Sequence, residues 1–361
     1  MRMSLPCKRI AASAGIVALL AATMAGPAAA TGHRPVQRAL DTVVAAGTPG
    51  AQLTTRGYSL RSGVGDLRTG APMPWRGHFR AGSVTKPFIA VLVLQLVGEG
   101  KVELDAPVTR YLPDAGTGAV TVRQILQHTS GLPDYLDDVV DVDPETLRHR
   151  GAEPAELLAF AMKHPPLFPP GAKWSYSNTN YILAGMLVER VTGRSVQAEL
   201  GARILRPLGL RETYLPVRGD ERLPAPHPRG YLPAKDSLVD FTEFDATIAW
   251  TAGGLVTTGN DVNRFLSALL GGRLLRPAQL AEMKRTVPRD SGSEYGLGLG
   301  KLYLSCGKEF WGHGGDIIGF ATLAFASPDG RAATVEANRD PVSPAVHANM
   351  KATVDAALCA E

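Results

Sequence analysis

Three short stretches of the chain hold residue types that suit acyl-transfer chemistry. The first is Ser83-Val84-Thr85-Lys86. On a helical turn positions i and i+3 share a face, so Lys86 Nζ can approach Ser83 Oγ. A serine hydroxyl is a poor nucleophile until a neighbouring base takes its proton. Partial burial depresses a lysine pKa and lets the amine act as that base. The helix N-terminus adds backbone N–H groups aimed at developing negative charge. The second stretch is Tyr176-Ser177-Asn178. Its phenol can relay a proton to a leaving group, and its amide can hold a substrate carbonyl. The third is His313-Gly314-Gly315, where two glycines let a ligand backbone come close. Each also has an ordinary reading: a chance Ser-x-x-Lys, a loop with a capping Asn, a structural histidine on a strand.

Other chemistries find no motif. There is no Gly-x-Ser-x-Gly elbow, no Gly-x4-Gly-Lys-Ser/Thr phosphate loop, no His-Glu-x-x-His and no Cys/His cluster at zinc spacing. The run Gly296-Leu-Gly298-Leu-Gly300 lacks dinucleotide-binding spacing and reads as strand. No metal or organic cofactor is expected.

The elements that must position these residues are legible in part. Gly50 to Met73 reads as two or three antiparallel strands with tight turns. Phe88 to Val97 has nine apolar residues and one Gln, then Gly98 and Gly100, which predicts a helix buried on most faces. From about 105 to 240, helical patterns at Val122–Gln127, Pro154–Met162 and Asn180–Val191 alternate with proline-rich connections. Four prolines between His164 and Gly171 force a loop there. From Ala252 glycine-punctuated strands return, and Ser327-Pro328-Asp329-Gly330 signals a hairpin between Gly319–Ala326 and Arg331–Ala337. A last helix carries Val346, Met350, Val354 and Leu358, with Ser343 as N-cap and Pro344 at its first position. The expected fold class is α/β (α+β): an antiparallel sheet flanked by helices, with an inserted all-helical domain. Residues 31–104 and 245–361 would form a discontinuous α/β domain and residues 105–244 the mainly helical insert, with the site in the cleft between them.

Composition narrows the class further. With 361 residues, 45% of them hydrophobic, and a mean hydropathy of −0.01, the chain has ample core material and excludes disorder. Residues 1–30 have the pattern of a secretory signal peptide: Arg2, Lys8 and Arg9, an apolar stretch from Ile10 to Met24, then Ala28-Ala29-Ala30. Removing them lowers the net charge from +4 to +1, so no basic stripe remains for nucleic acid. A secreted chain without a stable membrane anchor is expected. It keeps Cys306 and Cys359, which an oxidising compartment favours as a disulfide; two buried free thiols are the alternative.

The order and spread of the three stretches carry a resemblance. With Phe79-Arg-Ala-Gly-Ser-Val-Thr-Lys86, Lys101-Val-Glu-Leu-Asp105, Tyr111-Leu-Pro113, Val122-Arg-Gln-Ile-Leu-Gln-His-Thr-Ser-Gly-Leu132 and Pro170-Gly-Ala-Lys-Trp-Ser-Tyr-Ser-Asn178, the chain resembles the serine β-lactamase and penicillin-binding superfamily, in its class C-like branch. It is most similar to secreted D-alanyl-D-alanine carboxypeptidases. The resemblance implies Ser83 as acylated nucleophile, Lys86 as its activator and Tyr176 as proton carrier. It implies Asn178, His313, Gly315, Asp316 and Trp250 as substrate-binding residues, with the oxyanion held by the N–H groups of Ser83 and Asp316. It also implies a disulfide between Cys306 and Cys359. Expected partners are a small peptide, amide or ester, cell-wall peptide among them, and β-lactams as acylating ligands.

The match departs where the family grips a substrate carboxylate. Hydroxyls usual in and after the third triad are replaced by Gly314 and Asp316, and a position that is Arg in the carboxypeptidases is Gly300, beside Lys301. A carboxylate at Asp316 would repel another a few ångströms away by roughly 4 kcal/mol at an effective dielectric near 20. Its side chain pointing away is the alternative. Carboxypeptidase activity is therefore the main expectation, with an esterase, a D-aminopeptidase or amidase, or a penicillin receptor of little turnover as alternatives.

Overall fold

A computed structural model describes residues 33–139, 144–235, 237–289 and 293–359; the leader read in residues 1–30 lies outside them. Nine strands form one antiparallel sheet in the order β3-β2-β1-β13-β12-β11-β10-β9-β8. These are β1 (Gly50–Thr55), β2 (Ser59–Asp66), β3 (Ala71–Pro72), β8 (Val287–Pro288), β9 (Glu294–Tyr295), β10 (Gly300–Tyr303), β11 (Glu309–Ile317), β12 (Phe320–Ala326) and β13 (Ala332–Ala337). The first strand, β1, pairs with the last, β13, with Leu53 opposite Val335. The predicted hairpin is present, with Ala326 opposite Ala332.

One face of the sheet is covered by the terminal helices α1 (Arg34–Ala45) and α7 (Pro344–Cys359). Val36, Leu40 and Val43 of α1 join Val346, Met350, Val354 and Leu358 of α7 in one apolar cluster over Leu53 and Val335. Ser343 Oγ accepts from Val346 N as the predicted cap, and Cys306 is joined to Cys359 at the end of α7. From Pro35 onward the chain forms a single compact unit.

The other face carries α6 (Gly259–Leu270) and the large core around α2 (Thr85–Gly98). The predicted all-round burial of α2 is found: eleven of its residues, from Thr85 to Leu96, are buried. Phe88 stacks on Phe265 of α6 with ring centroids 3.5 Å apart. Each such side chain contributes roughly 1.5–3 kcal/mol by leaving water. Helices α3 (Val122–Gln127), α4 (Pro154–Ala161) and α5 (Thr179–Thr192) fill the middle of the chain. A capping box of Thr121 and Gln124 starts α3.

Short strands β4 (Phe79–Arg80) and β7 (Val256–Thr257) pair with each other. Buried Arg80 donates to the carbonyls of Glu221, Thr242 and Phe244. The segment before α2 is thereby locked to the loops after α5.

Three sequence expectations need correction or addition. Gly296–Leu299 is not strand but the turn between β9 and β10. Gly298 has φ +76°, and a Cβ there would lie 2.6 Å from Ala90 Cβ and from Tyr181 Oη, so the run needs left-handed backbone and close approach. The region read as helical also holds a hairpin, β5 (Tyr231–Ala234) and β6 (Ser237–Asp240). Helix α1 is an addition: Arg34–Ala45 begins four residues after the end of the segment read as leader.

Candidate active site

A helical turn, Gly82–Val84, leads into α2 and sets Ser83 at its foot. Gly82 has φ +53°, and a Cβ on it would strike the Asp316 backbone at 2.7 Å. A Cβ on Gly315 would reach the Ala81 carbonyl oxygen at 2.0 Å and Ser83 N at 3.1 Å. Only glycines let β11 lie this close to the nucleophile's turn, and the approach brings the backbones of Ser83 and Asp316 together.

Lys86 is fully buried one turn into the helix. Its Nζ lies 2.9 Å from Ser83 Oγ, 2.8 Å from Asn178 Oδ1 and 2.7 Å from the Ala252 carbonyl oxygen. Burial lowers its pKa to about 7, against the opposing charge of Asp134. A neutral amine has two N–H donors and one lone pair. Two carbonyl oxygens match the donors, which leaves the lone pair for the Ser83 hydroxyl.

Tyr176 Oη donates to Ser83 Oγ at 2.7 Å. Burial keeps this phenol protonated, holding its pKa well above the ordinary tyrosine value. Its ring stacks on His128 at 4.3 Å, and Lys86 Nζ lies 4.8 Å from its centroid. Ser83 Oγ thus has a proton donor on one side and a proton acceptor on the other.

Asn178 is oriented by Asp134, whose carboxylate accepts from the Asn178 amide at 2.8 Å and from its backbone N–H at 3.0 Å. That fixes Oδ1 toward Lys86. Burial raises the Asp134 pKa. Asp134 was not singled out from sequence, although it stands two residues after the quoted Ser-Gly-Leu stretch.

His313 joins an aromatic wall rather than the hydrogen-bonded group. Its Nε2 meets Tyr295 Oη at 2.8 Å, its Nδ1 meets the Gly314 carbonyl, and its ring lies 6.4 Å from Tyr176. Burial, helped by the Lys86 charge, lowers its pKa to about 3, so it is a neutral imidazole. Arg289 stacks on the same wall, 4.7 Å from the Trp174 ring and 5.8 Å from Tyr295.

Beyond Gly312 no strand among the described residues continues the β10 pairing, so residues 313–317 of β11 present a free edge beside Ser83. Asp316 sits on that edge, half exposed, with Oδ1 3.0 Å from His347 Nε2 of α7. The pairing raises the His347 pKa. Burial, with the Asp316 charge added, pushes Asp340 up to about 8.

The structure does not bring Trp250 into this group by any hydrogen bond or ring contact among the described residues. It is buried, with its ring over Gly185 of α5. Its short helix serves the site through the Ala252 carbonyl instead. No group of three or more His, Cys, Asp or Glu residues is placed to hold a metal among the described residues.

Together these groups can take a proton from Ser83, hold an oxyanion at two backbone N–H groups and return a proton to a leaving group. Comparison with known proteins agrees with that chemistry. The family model described as Beta-lactamase matches residues 18–357. The chain is 32% identical to Esterase EstB of Burkholderia gladioli over 282 residues, 69% of this chain and 71% of the esterase. It is 29% identical to a D-aminopeptidase of Brucella anthropi over 288 residues, 76% of this chain but only 52% of that protein; the chain spans about half the length of that enzyme. Among solved structures, a D-stereospecific amidohydrolase from Streptomyces sp. superposes with a TM-score of 0.83 at 37% identity, covering 91% of this chain and 99% of that one. The chain belongs to the Beta-lactamase family of serine hydrolases.

Proposed function

We propose that this chain is an exported hydrolase that forms an acyl-enzyme on Ser83 and prefers D-amino acid amides, short D-peptides or esters with a free amine beside the scissile carbonyl. Neutral Lys86 takes the Ser83 proton as Oγ bonds to the carbonyl carbon. The oxyanion rests on the N–H groups of Ser83 and Asp316. Tyr176 gives its proton to the leaving amine or alcohol and recovers one from Lys86. Water then attacks the ester, the same groups handle the reverse transfers, and Ser83 is freed.

The observation that carries the substrate preference is Asp316. Its backbone lies against the nucleophile's turn, while its half-exposed carboxylate lies on the α7 face of β11, 3.0 Å from His347 Nε2. Its charge still reaches the site, adding to the burial that raises the Tyr176 pKa, and there it favours an α-ammonium over a substrate carboxylate. The likeness to an esterase and to D-specific amide hydrolases supports this reading over a carboxypeptidase. A carboxypeptidase remains the second reading, favoured by Arg289, the cation on the aromatic wall near His313. β-Lactams are proposed as acylating ligands of Ser83. Export is supported by the leader pattern in residues 1–30 and by the disulfide. Among the described residues no helix is long and apolar enough to cross a membrane.

The test is kcat/KM for D-phenylalanine amide, its N-acetyl derivative and an N-acylated D-Ala-D-Ala peptide, in wild type, Asp316→Asn and Arg289→Gln. The proposal expects the free amine to be preferred at least tenfold, with the preference lost in Asp316→Asn. Fastest turnover of the peptide, abolished by Arg289→Gln and indifferent to Asp316→Asn, would establish the carboxypeptidase.

A further inference from the structure

A cavity of about 1290 Å³ lies away from Ser83, where the first turn of α6 meets the loops after β1 and β3. Five arginines line it: Arg56, Arg76, Arg211, Arg264 and Arg273. No carboxylate forms an ion pair with any of them among the described residues. The two acids that also line the cavity are already engaged. Glu212 Oε2 lies 3.0 Å from His78 Nε2, and Asp261 Oδ2 accepts from Thr213 Oγ1 and from the Glu212 N–H. Guanidinium groups gathered around one space repel each other, and a multivalent anion relieves that repulsion.

Two of the arginines are seated by the backbone. Arg56 Nη1 donates to the Gly330 carbonyl at 3.0 Å and Arg264 Nη1 to the Gly209 carbonyl at 3.1 Å. Gly330 has φ +92°, and a Cβ there would lie 2.9 Å from Arg56 Nη1, so a larger residue would crowd that guanidinium. The cavity wall also holds Thr258 and Asn260 from the start of α6, the end of a helix that favours anions.

We propose that this cavity is a second, non-catalytic site for a small polyanion bearing two or more phosphate groups. The volume is too large for a single phosphate, and planar guanidinium forks bind phosphate oxygens in pairs. The site is independent of the reaction at Ser83.

Isothermal titration calorimetry at about 150 mM salt tests it, with tripolyphosphate and orthophosphate as probes. The variant is the double substitution Arg76→Gln and Arg273→Gln, because neither side chain makes a hydrogen bond or ion pair among the described residues. Tripolyphosphate should saturate at one per chain and bind at least tenfold more tightly than orthophosphate. The double variant should weaken it at least tenfold while p-nitrophenyl ester hydrolysis and thermal unfolding stay at wild-type values. Absence of saturable binding below millimolar probe, or unchanged binding in the double variant, would overturn the proposal. So would tighter binding of duplex DNA than of tripolyphosphate in competition. If the double variant unfolds, Arg211→Gln repeats the test with the same outcomes.

Discussion

Lys86 Nζ lies 2.9 Å from Ser83 Oγ, and both of its remaining partners, Asn178 Oδ1 and the Ala252 carbonyl, are acceptors. The buried amine is thereby aimed as a base rather than as an ion-pair partner. The folded protein lowers its pKa to about 7, chiefly by burial. Below that pH the amine is an ammonium and cannot take the serine proton. Ester kcat/KM should therefore fall tenfold per pH unit below about 7 and level off above it. Lys86→Arg, always charged, should lose about 10²–10⁴-fold at every pH. Asp134 opposes the lowering, so Asp134→Asn should move the acid limb to lower pH. A pH–rate profile of the three proteins checks all of this, and an unshifted acid limb in Asp134→Asn would contradict it.

Tyr176 donates to Ser83 Oγ, and burial keeps its phenol protonated. A proton on the leaving group matters most when that group is a poor one. Tyr176→Phe should cost an amide substrate about 10²-fold or more, and a p-nitrophenyl ester far less. Equal losses on both substrates would show that Tyr176 acts on the nucleophile instead.

Gly315 and Gly314 are neighbours with opposite tolerances. An added Cβ at Gly315 meets the Ala81 carbonyl oxygen at 2.0 Å, whereas at Gly314 the nearest atom is Leu323 Cδ1 at 3.7 Å. Gly315→Ala should destabilise the fold by about 1–3 kcal/mol and abolish activity by pushing β11 off Ser83. Gly314→Ala should fold and turn over nearly as wild type. Thermal unfolding with ester assays decides it, and an active Gly315→Ala would refute the close approach.

Much of this site was legible because its residues lie in local patterns. Ser83 and Lys86 are one turn apart, and the apolar run from Phe88 to Val97, interrupted only by Gln95, announced the helix that buries Lys86. The turn signal Ser327-Pro328-Asp329-Gly330 made the terminal hairpin equally plain. What stayed hidden depends on contacts between distant segments. Asp134 acquires meaning only when Asn178, 44 positions away, turns its amide toward it. The Ala252 carbonyl has no side-chain signature at all. Trp250 looked like a binding residue, yet Gly185 leaves a space on α5 that its ring fills. Gly296 and Gly298 read as strand, as Gly300 is, because periodicity does not show that Gly298 must pass between Ala90 and Tyr181.

The most direct test is hydrolysis of p-nitrophenyl butyrate by wild type and Ser83→Ala, with each confirmed as folded by its thermal unfolding curve. Loss of the nucleophile should reduce kcat/KM by about 10⁴-fold or more. A Ser83→Ala protein that hydrolyses the ester within tenfold of wild type would contradict the assignment of Ser83, and with it the roles given to Lys86 and Tyr176.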